Sequence, residues 1–597
     1  MNVRPEPSAL TVDLSLAPPA GAAALRRRRL AMLALNLATL AGVALVASHL
    51  AAQNGWRIVD MVLLLCVLAA TPWNAIGFWN ALVGLLLLHA RPNGVMQAAP
   101  FLGRPGDAHV TTRTAILMTL RNEDPERAIS RLRAVKAALD AAGCGSQFGY
   151  FLLSDTNRED VARVEEEAVA AWRAKDAWGQ IVYRRRPVNT GFKAGNVRDF
   201  CLTWGSDYDF ILPLDADSLM GAPAVLDLVR ILQANPRIGI LQSLVVGLPS
   251  ASGFARLFQF GMRHGMRCYT LGATWWAGDC GPFWGHNALI RVQPFTAHCE
   301  LPLVPGEPPL GGPILSHDQV EAVLMRRAGY EVRVVPVEGE SFEENPPTLP
   351  DFMARDLRWC LGNMQYLRLL KLPGLLPMNR FQLVWAILMF AAMPAVPLAL
   401  LLLPFAAIGS APGTGAGAAG LYLGLLFLSL SPKLAGLLDT ILTPGGMGRY
   451  GGGLRFAVSA AAEIMFSLLL APIMALSTTR FLAFLGFGHV RSAWNGQARD
   501  AHSLPWPIAA RALWFPTAFG GLVAALLALS APVLLIWTTP LIAGCWLAIP
   551  FAVLTADPRF GAWLKARGLC ATPEEAAPPA IFSALQPPRV EPWREAA

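Results

Sequence analysis

Asp215 and Asp217 stand one residue apart at the end of the apolar run Phe210-Ile211-Leu212-Pro213-Leu214. Two carboxylates on a turn leaving a buried strand can approach one hard cation together. Mg2+ or Mn2+ takes such oxygen ligands while also bridging substrate phosphates. A diphosphate leaving group needs that cation, because negative charge grows on it as its bond breaks. A solvated turn is the plain alternative, since Asp-x-Asp is common by chance. Asp155 ends a second strand-like run, Leu152-Leu153-Ser154-Asp155. There it can accept hydrogen bonds from the edge of a uracil ring, or simply cap a helix.

Three more stretches carry chemistry. Asn189-Thr190-Gly191-Phe192-Lys193-Ala194-Gly195-Asn196 follows Arg184-Arg185-Arg186. Its glycines permit close backbone approach and Lys193 can meet a phosphate, although a plain loop would look the same. Asp318, in Leu315-Ser316-His317-Asp318, opens a helical pattern over 319–328. A carboxylate there can take a proton from an attacking hydroxyl, or serve as an N-cap. Arg355-Asp356-Leu357-Arg358-Trp359-Cys360-Leu361-Gly362-Asn363 precedes a long apolar span. Trp359 can floor a sugar by stacking and Arg358 can face a diphosphate, while a juxtamembrane aromatic belt is a serious rival. No single stretch decides; their order does.

Something must hold these residues together. Between about 105 and 370, β-rich runs at Thr114–Leu120, Phe148–Ser154, 181–183, 210–214 and 238–241 alternate with helical ones such as 128–142 and 160–174. That alternation predicts an α/β domain, a mainly parallel sheet with flanking helices. Ligands bind such sheets beyond the carboxyl ends of the strands, where the acidic residues above fall.

The rest of the chain is built for lipid. Of its 597 residues 54% are hydrophobic and 15% charged, against about 25% charged in soluble proteins, and mean hydropathy is +0.42. Residues 1–25 read as a disordered tail, 26–92 as two transmembrane helices and 105–372 as the inserted α/β domain. Residues 380–556 read as a channel domain of five to six spans with interfacial segments, and 557–597 as a loose tail. Seven or eight spans result in all. The net charge of +8 suggests nucleic acid, but the basic residues cluster beside apolar spans, as at Arg26 to Arg29, where they set topology. Arg91, Arg104 and Arg113 follow the second span, so both flanks belong in the cytoplasm. Nine scattered cysteines form no CxxC pair, which argues against structural zinc or a disulfide framework.

The ordered set resembles the family-2, cellulose-synthase-like processive glycosyltransferases, whose signature is D, DxD, D, QxxRW. Asp155, Asp215 with Asp217, Asp318, and Arg358 with Trp359 fall on those positions, and Lys193 on the lysine of a KAGN motif. Two departures, Ser316-His317-Asp318 for Thr-Glu-Asp and Arg355 for Gln, look like the glucans biosynthesis glucosyltransferase H group. So do Leu120-Arg121-Asn122-Glu123-Asp124, Trp284-Gly285-His286-Asn287-Ala288-Leu289-Ile290-Arg291, the stretch 315–329, Ser341-Phe342-Glu343-Glu344-Asn345-Pro346-Pro347 and the stretch 358–363.

That resemblance implies a GT-A type domain, a UDP-glucose donor, and a growing β-1,2-linked glucan made by inversion and passed across a bacterial inner membrane. It implies Asp318 as base, and Asp155, Lys193, Asp215, Arg355, Arg358 and Trp359 around the nucleotide sugar. Asp215 and Asp217 take the Mg2+ or Mn2+, and Trp359 and His286 face the acceptor, with a structural histidine as the alternative for His286. Residues 487–500, with Trp494 and Arg499, occupy the place of the gating loop. The lipid bilayer and periplasmic glucan-processing proteins are the implied partners. Another cellulose- or hyaluronan-type synthase is the rival within the class. A transporter with a cytoplasmic domain is the rival outside it, but no repeat and few intramembrane charges favour that.

Overall fold

The computed structural model describes residues 21–103, 108–176, 180–411, 414–490 and 498–585. The tail expected at the N-terminus lies outside them up to residue 20, and the first helix already begins at Ala22. Among the described residues eight strands form one sheet: β1 (Thr114–Leu120), β2 (Phe148–Ser154), β3 (Ile181–Arg185), β4 (Phe210–Asp215), β5 (Leu219–Met220), β6 (Ile238–Gly247), β7 (Ala288–Arg291) and β8 (Glu331–Glu343). Their spatial order is β3-β2-β1-β4-β7-β6-β8-β5. β1 is parallel to β2 and β4, β2 to β3, and β6 to β8. β7 is antiparallel to both β4 and β6, so β6 and β8 point the same way as β4. The sheet is therefore mainly parallel, as the alternation predicts, with β7 reversed in its middle. One edge consequently collects the C-terminal ends of six strands and the N-terminal end of β7.

Period-two alternation sends Ile116 and Met118 of β1 to one face and Ala115 and Leu117 to the other, all fully buried. A strand covered on both sides reads as an unbroken apolar run, which is why β1, β2 and β4 were visible in sequence. Leu132 and Val135 of the Pro125–Ala141 helix and Val229 of the Ala222–Ala234 helix pack one face. Phe200 of the Phe192–Trp204 helix and Val323 of the Asp318–Arg327 helix pack the other.

Among the described residues five helices are long and apolar enough to cross a membrane: Ala22–Gln53, Ile58–His89, Thr414–Leu442, Gly453–Gly486 and Trp506–Ser530. Two bent pairs, Pro377–Ala391 with Ala395–Ala407 (44°) and Pro532–Trp546 with Ala548–Ala556 (62°), would bring the number to seven. The chain is a multi-pass membrane protein.

A 25-residue helix, Gly253–Ala277, joins sheet to membrane, and we call it the platform helix. It leaves β6 with Ser252 as N-cap, its hydroxyl accepting from the Ala255 amide. At its far end the carbonyls of Trp276 and Ala277 accept from Arg29, which also pairs with Asp279 at 2.6 Å. The arginine run before the first span thus caps the platform as well as flanking the bilayer. Buried Arg256 and Arg263 pair with Glu575 and Glu574, both at 2.7–2.8 Å. Residues 557–585, expected to be loose, are instead folded against this helix and the sheet, with Phe582 at 5.1 Å from Phe342. Proline and charge density misled there, because those charges are spent on buried arginines rather than on water.

The platform lies close against two membrane helices. A Cβ on Gly436 of Thr414–Leu442 would sit 1.6 Å from the His264 carbonyl oxygen, and one on Gly84 of Ile58–His89 1.8 Å from that of Cys268. Both neighbours are backbone, which cannot swing aside. Gly436→Ala is therefore expected to destabilise the fold by about 1–3 kcal/mol, as overpacked sites do. Thermal unfolding in detergent reads it.

Gly453–Gly486 follows the same surface. The Phe456 ring near its start lies 5.5 Å from that of His264, and Leu485 near its end belongs to the same buried cluster as Tyr366 and Leu383. Both ends of this helix stay beside the sheet domain.

Candidate active site

Of the six strand C-termini at the collecting edge, all but that of β6 deliver a charged side chain. Glu123 follows β1, Asp155 follows β2, Arg186 follows β3, Asp215 ends β4, and Glu343 ends β8. His286 precedes β7, and the reversal of that strand brings it to the same edge.

Asp155 is buried, 7% exposed, and both its oxygens are taken by Arg186, at 2.7 and 2.9 Å. The same guanidinium donates to the carbonyls of Thr190 and Phe192 and to Asp199. It thereby holds Gly191 and Phe192 at φ +69° and +54°, the left-handed pair that opens the helix carrying Lys193. Arg186 links the strand-end acid to the lysine loop. Arg186→Leu would leave Asp155 buried without a partner and is expected to cost about 3–5 kcal/mol. Arg186→Lys offers a point charge where a two-pronged donor is needed, so it should recover only part of the loss. Thermal unfolding together with UDP affinity checks both.

Lys193 pairs with Asp215 Oδ1, and Arg499 pairs with Asp217 Oδ2. Burial alone would raise the Asp215 carboxyl, but Lys193, His286 and Arg499 outweigh it and hold the group well below the usual carboxylate range. Glu123 goes the other way. Burial pushes its carboxyl up to about 7, and Asp217 and Asp215 add to that against the pull of Arg499 and Arg358. Glu343 is likewise raised by burial, with Asp217 adding and His286 and Arg355 opposing. Among the described residues no three His, Cys, Asp or Glu side chains form a preassembled metal centre. Asp215 and Asp217 offer hard oxygens in a field of crowded carboxylates, a donor set that fits Mg2+ or Mn2+ with substrate oxygens completing the shell.

His286 sits beneath this turn, Nδ1 3.2 Å from Ser218 Oγ and Nε2 3.4 Å from Glu343 Oε2. Both ring nitrogens face protein partners, which favours its structural alternative over acceptor contact. Gly285 beside it has φ +82°, and a Cβ there would lie 3.4 Å from Asp318 Cβ. The Gly-His-Asn turn thus touches Asp318 on one side and, through His286 and Ser218, the Asp215–Asp217 turn on the other. Asp318 opens its helix, where the N-terminal dipole favours a carboxylate. His317 beside it pairs with Glu321 at 2.8 Å; burial would lower this imidazole, but Glu321 raises it overall.

The Leu349–Leu369 helix, capped by Thr348, brings in the remaining group. Arg358 lies within electrostatic reach of Asp215 and Glu123. Arg355 is buried with its guanidinium 4.7 Å over the Trp359 ring, backing it from behind. Trp359 itself is 41% exposed.

Of the residues singled out in the sequence, Asp155, Lys193, Asp215, Asp217 and His286 stand at this edge, and Asp318, Arg355, Arg358 and Trp359 are carried on helices beside it. Glu123, Arg186 and Glu343 were missed. A charged residue soon after a strand-like run was the available signal for Glu123 and Arg186, whereas Glu343 ends a strand that the sequence did not reveal. Arg499 was noted only as part of 487–500, and Trp494 lies outside the described residues.

Residues 210–412 match the model of the glycosyl transferase family group 2. Three relatives are each described as glucans biosynthesis glucosyltransferase H. That of Xanthomonas campestris pv. campestris (strain B100) is 34% identical over 90% of this chain and 87% of its own. That of Vibrio cholerae serotype O1 (strain ATCC 39541) is 37% identical over 87% and 73%. That of Caulobacter vibrioides (strain NA1000) is 36% identical over 88% and 82%. Among solved structures, the mannosyltransferase PcManGT from Pyrobaculum calidifontis, in complex with GDP-Man and Mn2+, aligns with a TM-score of 0.38 at 15% identity. It covers 62% of this chain and 99% of its own.

Proposed function

The chain belongs to the glucans biosynthesis glucosyltransferase H family, and from that premise we propose that it transfers glucose from UDP-glucose to a β-1,2-linked glucan with inversion, exporting the chain as it grows. The observation that carries this reading is the gathering of Asp155, Lys193, Asp215, Asp217, Asp318 and Arg358 with a half-exposed Trp359 at one sheet edge.

In this reading Asp155, fixed by Arg186, receives the uracil edge. Asp215 and Asp217 hold a divalent metal, which when bound neutralises charge on the leaving diphosphate. Lys193 and Arg358 face the same diphosphate and offset the charge that appears on it. Asp318 removes the proton from the acceptor hydroxyl as that oxygen attacks the anomeric carbon. Trp359, stiffened by Arg355 behind it, stacks on the terminal sugar.

The protein resides in the bacterial inner membrane with the sheet in the cytoplasm. Because both ends of Gly453–Gly486 pack beside the sheet domain, that helix lies along the surface. Six crossings remain, and an even number returns the chain to the side where residues 557–585 pack.

Purified protein supplied with radiolabelled UDP-glucose and Mg2+ or Mn2+ tests the reading. β-1,2-linked glucan is expected. Another linkage, or no transfer with either metal, would overturn it.

A further inference from the structure

Arg499 lies in the stretch between the Gly453–Gly486 and Trp506–Ser530 helices, far in sequence from the sheet whose acids it touches. Its Nη1 pairs with Asp217 Oδ2 and lies 3.4 Å from the Glu344 carbonyl, while its buried Nε has no hydrogen-bond partner among the described residues. Arg186 offers a contrast within the same site: its Nε, Nη1 and Nη2 all donate, and both Asp155 oxygens are engaged. Arg186 is locked in place. In the described contacts Arg499 is held through one nitrogen, Nη1.

Charge explains why a cation held through a single nitrogen belongs there. Lys193, Arg355, Arg358 and Arg499 already stand among Glu123, Asp215, Asp217 and Glu343, with His286 and Glu344 alongside, and burial raises the Glu123 and Glu343 carboxyls. A lone divalent ion would have to evict a guanidinium from Asp217 and leave an excess of positive charge in a poorly solvated cluster. An ion arriving with a nucleoside diphosphate brings the compensating anion with it.

Resting on the reading of Asp215 and Asp217 as metal ligands, we propose that Arg499 is a resident counter-cation on Asp217, which closes the site to free metal and yields it to the metal–nucleotide complex. Arg499 is thus a specificity-determining residue for metal loading.

The test is Mn2+ binding to the full-length protein, read by electron paramagnetic resonance without substrate turnover, with and without UDP. Wild type should bind Mn2+ alone about tenfold more weakly than in the presence of UDP. Arg499→Gln should tighten binding of Mn2+ alone by about tenfold, ~1.4 kcal/mol, and so erase most of the UDP effect. Arg499→Lys, which keeps the charge, should stay near wild type. An Arg499→Gln protein with wild-type affinity for Mn2+ alone overturns the inference, as does a Lys variant as tight as the Gln one. A failure of the metal reading looks different: no Mn2+ binding in any protein even with UDP, or Asp215→Ala binding Mn2+ as wild type does.

Discussion

Asp318→Asn is expected to lower glucan synthesis by roughly 10²–10⁴-fold, the usual contribution of a positioned proton acceptor, while UDP affinity stays nearly unchanged. The substitution keeps the size of the side chain at the first turn of its helix and beside Gly285, so the surroundings have little reason to move. What disappears is a carboxylate able to take a proton. Tyr366 steadies the approach to this helix, its hydroxyl donating to the Ser316 carbonyl at 2.8 Å, and none of that depends on the Asp318 charge. Incorporation of labelled glucose and calorimetric titration with UDP give the two readouts. A variant that still polymerises removes Asp318 as the base.

Asp215→Ala should be as severe for a different reason. It deletes one of the two metal ligands, and it also strips Lys193 of its partner and the Thr119 hydroxyl of a contact at 3.3 Å. Loss of electrostatic stabilisation of this kind costs about 10²–10³ in turnover. Donor binding should also lose its dependence on metal, so that UDP-glucose affinity becomes the same with Mn2+ as with a chelator. Metal dependence equal to wild type would argue against Asp215 as a ligand.

Strand ends were readable because buried strands are apolar runs and acids interrupt them. β1 and β2 were found to the residue, and β4 to within one. β7 was invisible, since four residues show no period, yet its reversal places His286. β8 was missed because its outward positions carry Arg333, Glu338 and Glu340, giving a mixed stretch without clean alternation. The motif residues were legible because their types announce chemistry. Arg186 and Arg499 were not, because their work is done on other side chains: one spans a loop, the other returns from beyond the 34-residue Gly453–Gly486 helix. Spacing along the chain carries no trace of such partnerships.

The platform helix is threaded between β6 and β7, and one consequence concerns how this enzyme can be handled. Cutting out residues 105–372 as a water-soluble fragment would expose the surface that Gly84 and Gly436 now touch, and would discard Arg499, the Glu575 partner of Arg256 and one of the two acids paired with Arg263. Such a piece would be prone to clump, and its metal affinity would misreport that of the intact enzyme. Inhibitor screens and binding measurements should accordingly be run on whole protein in detergent or nanodiscs.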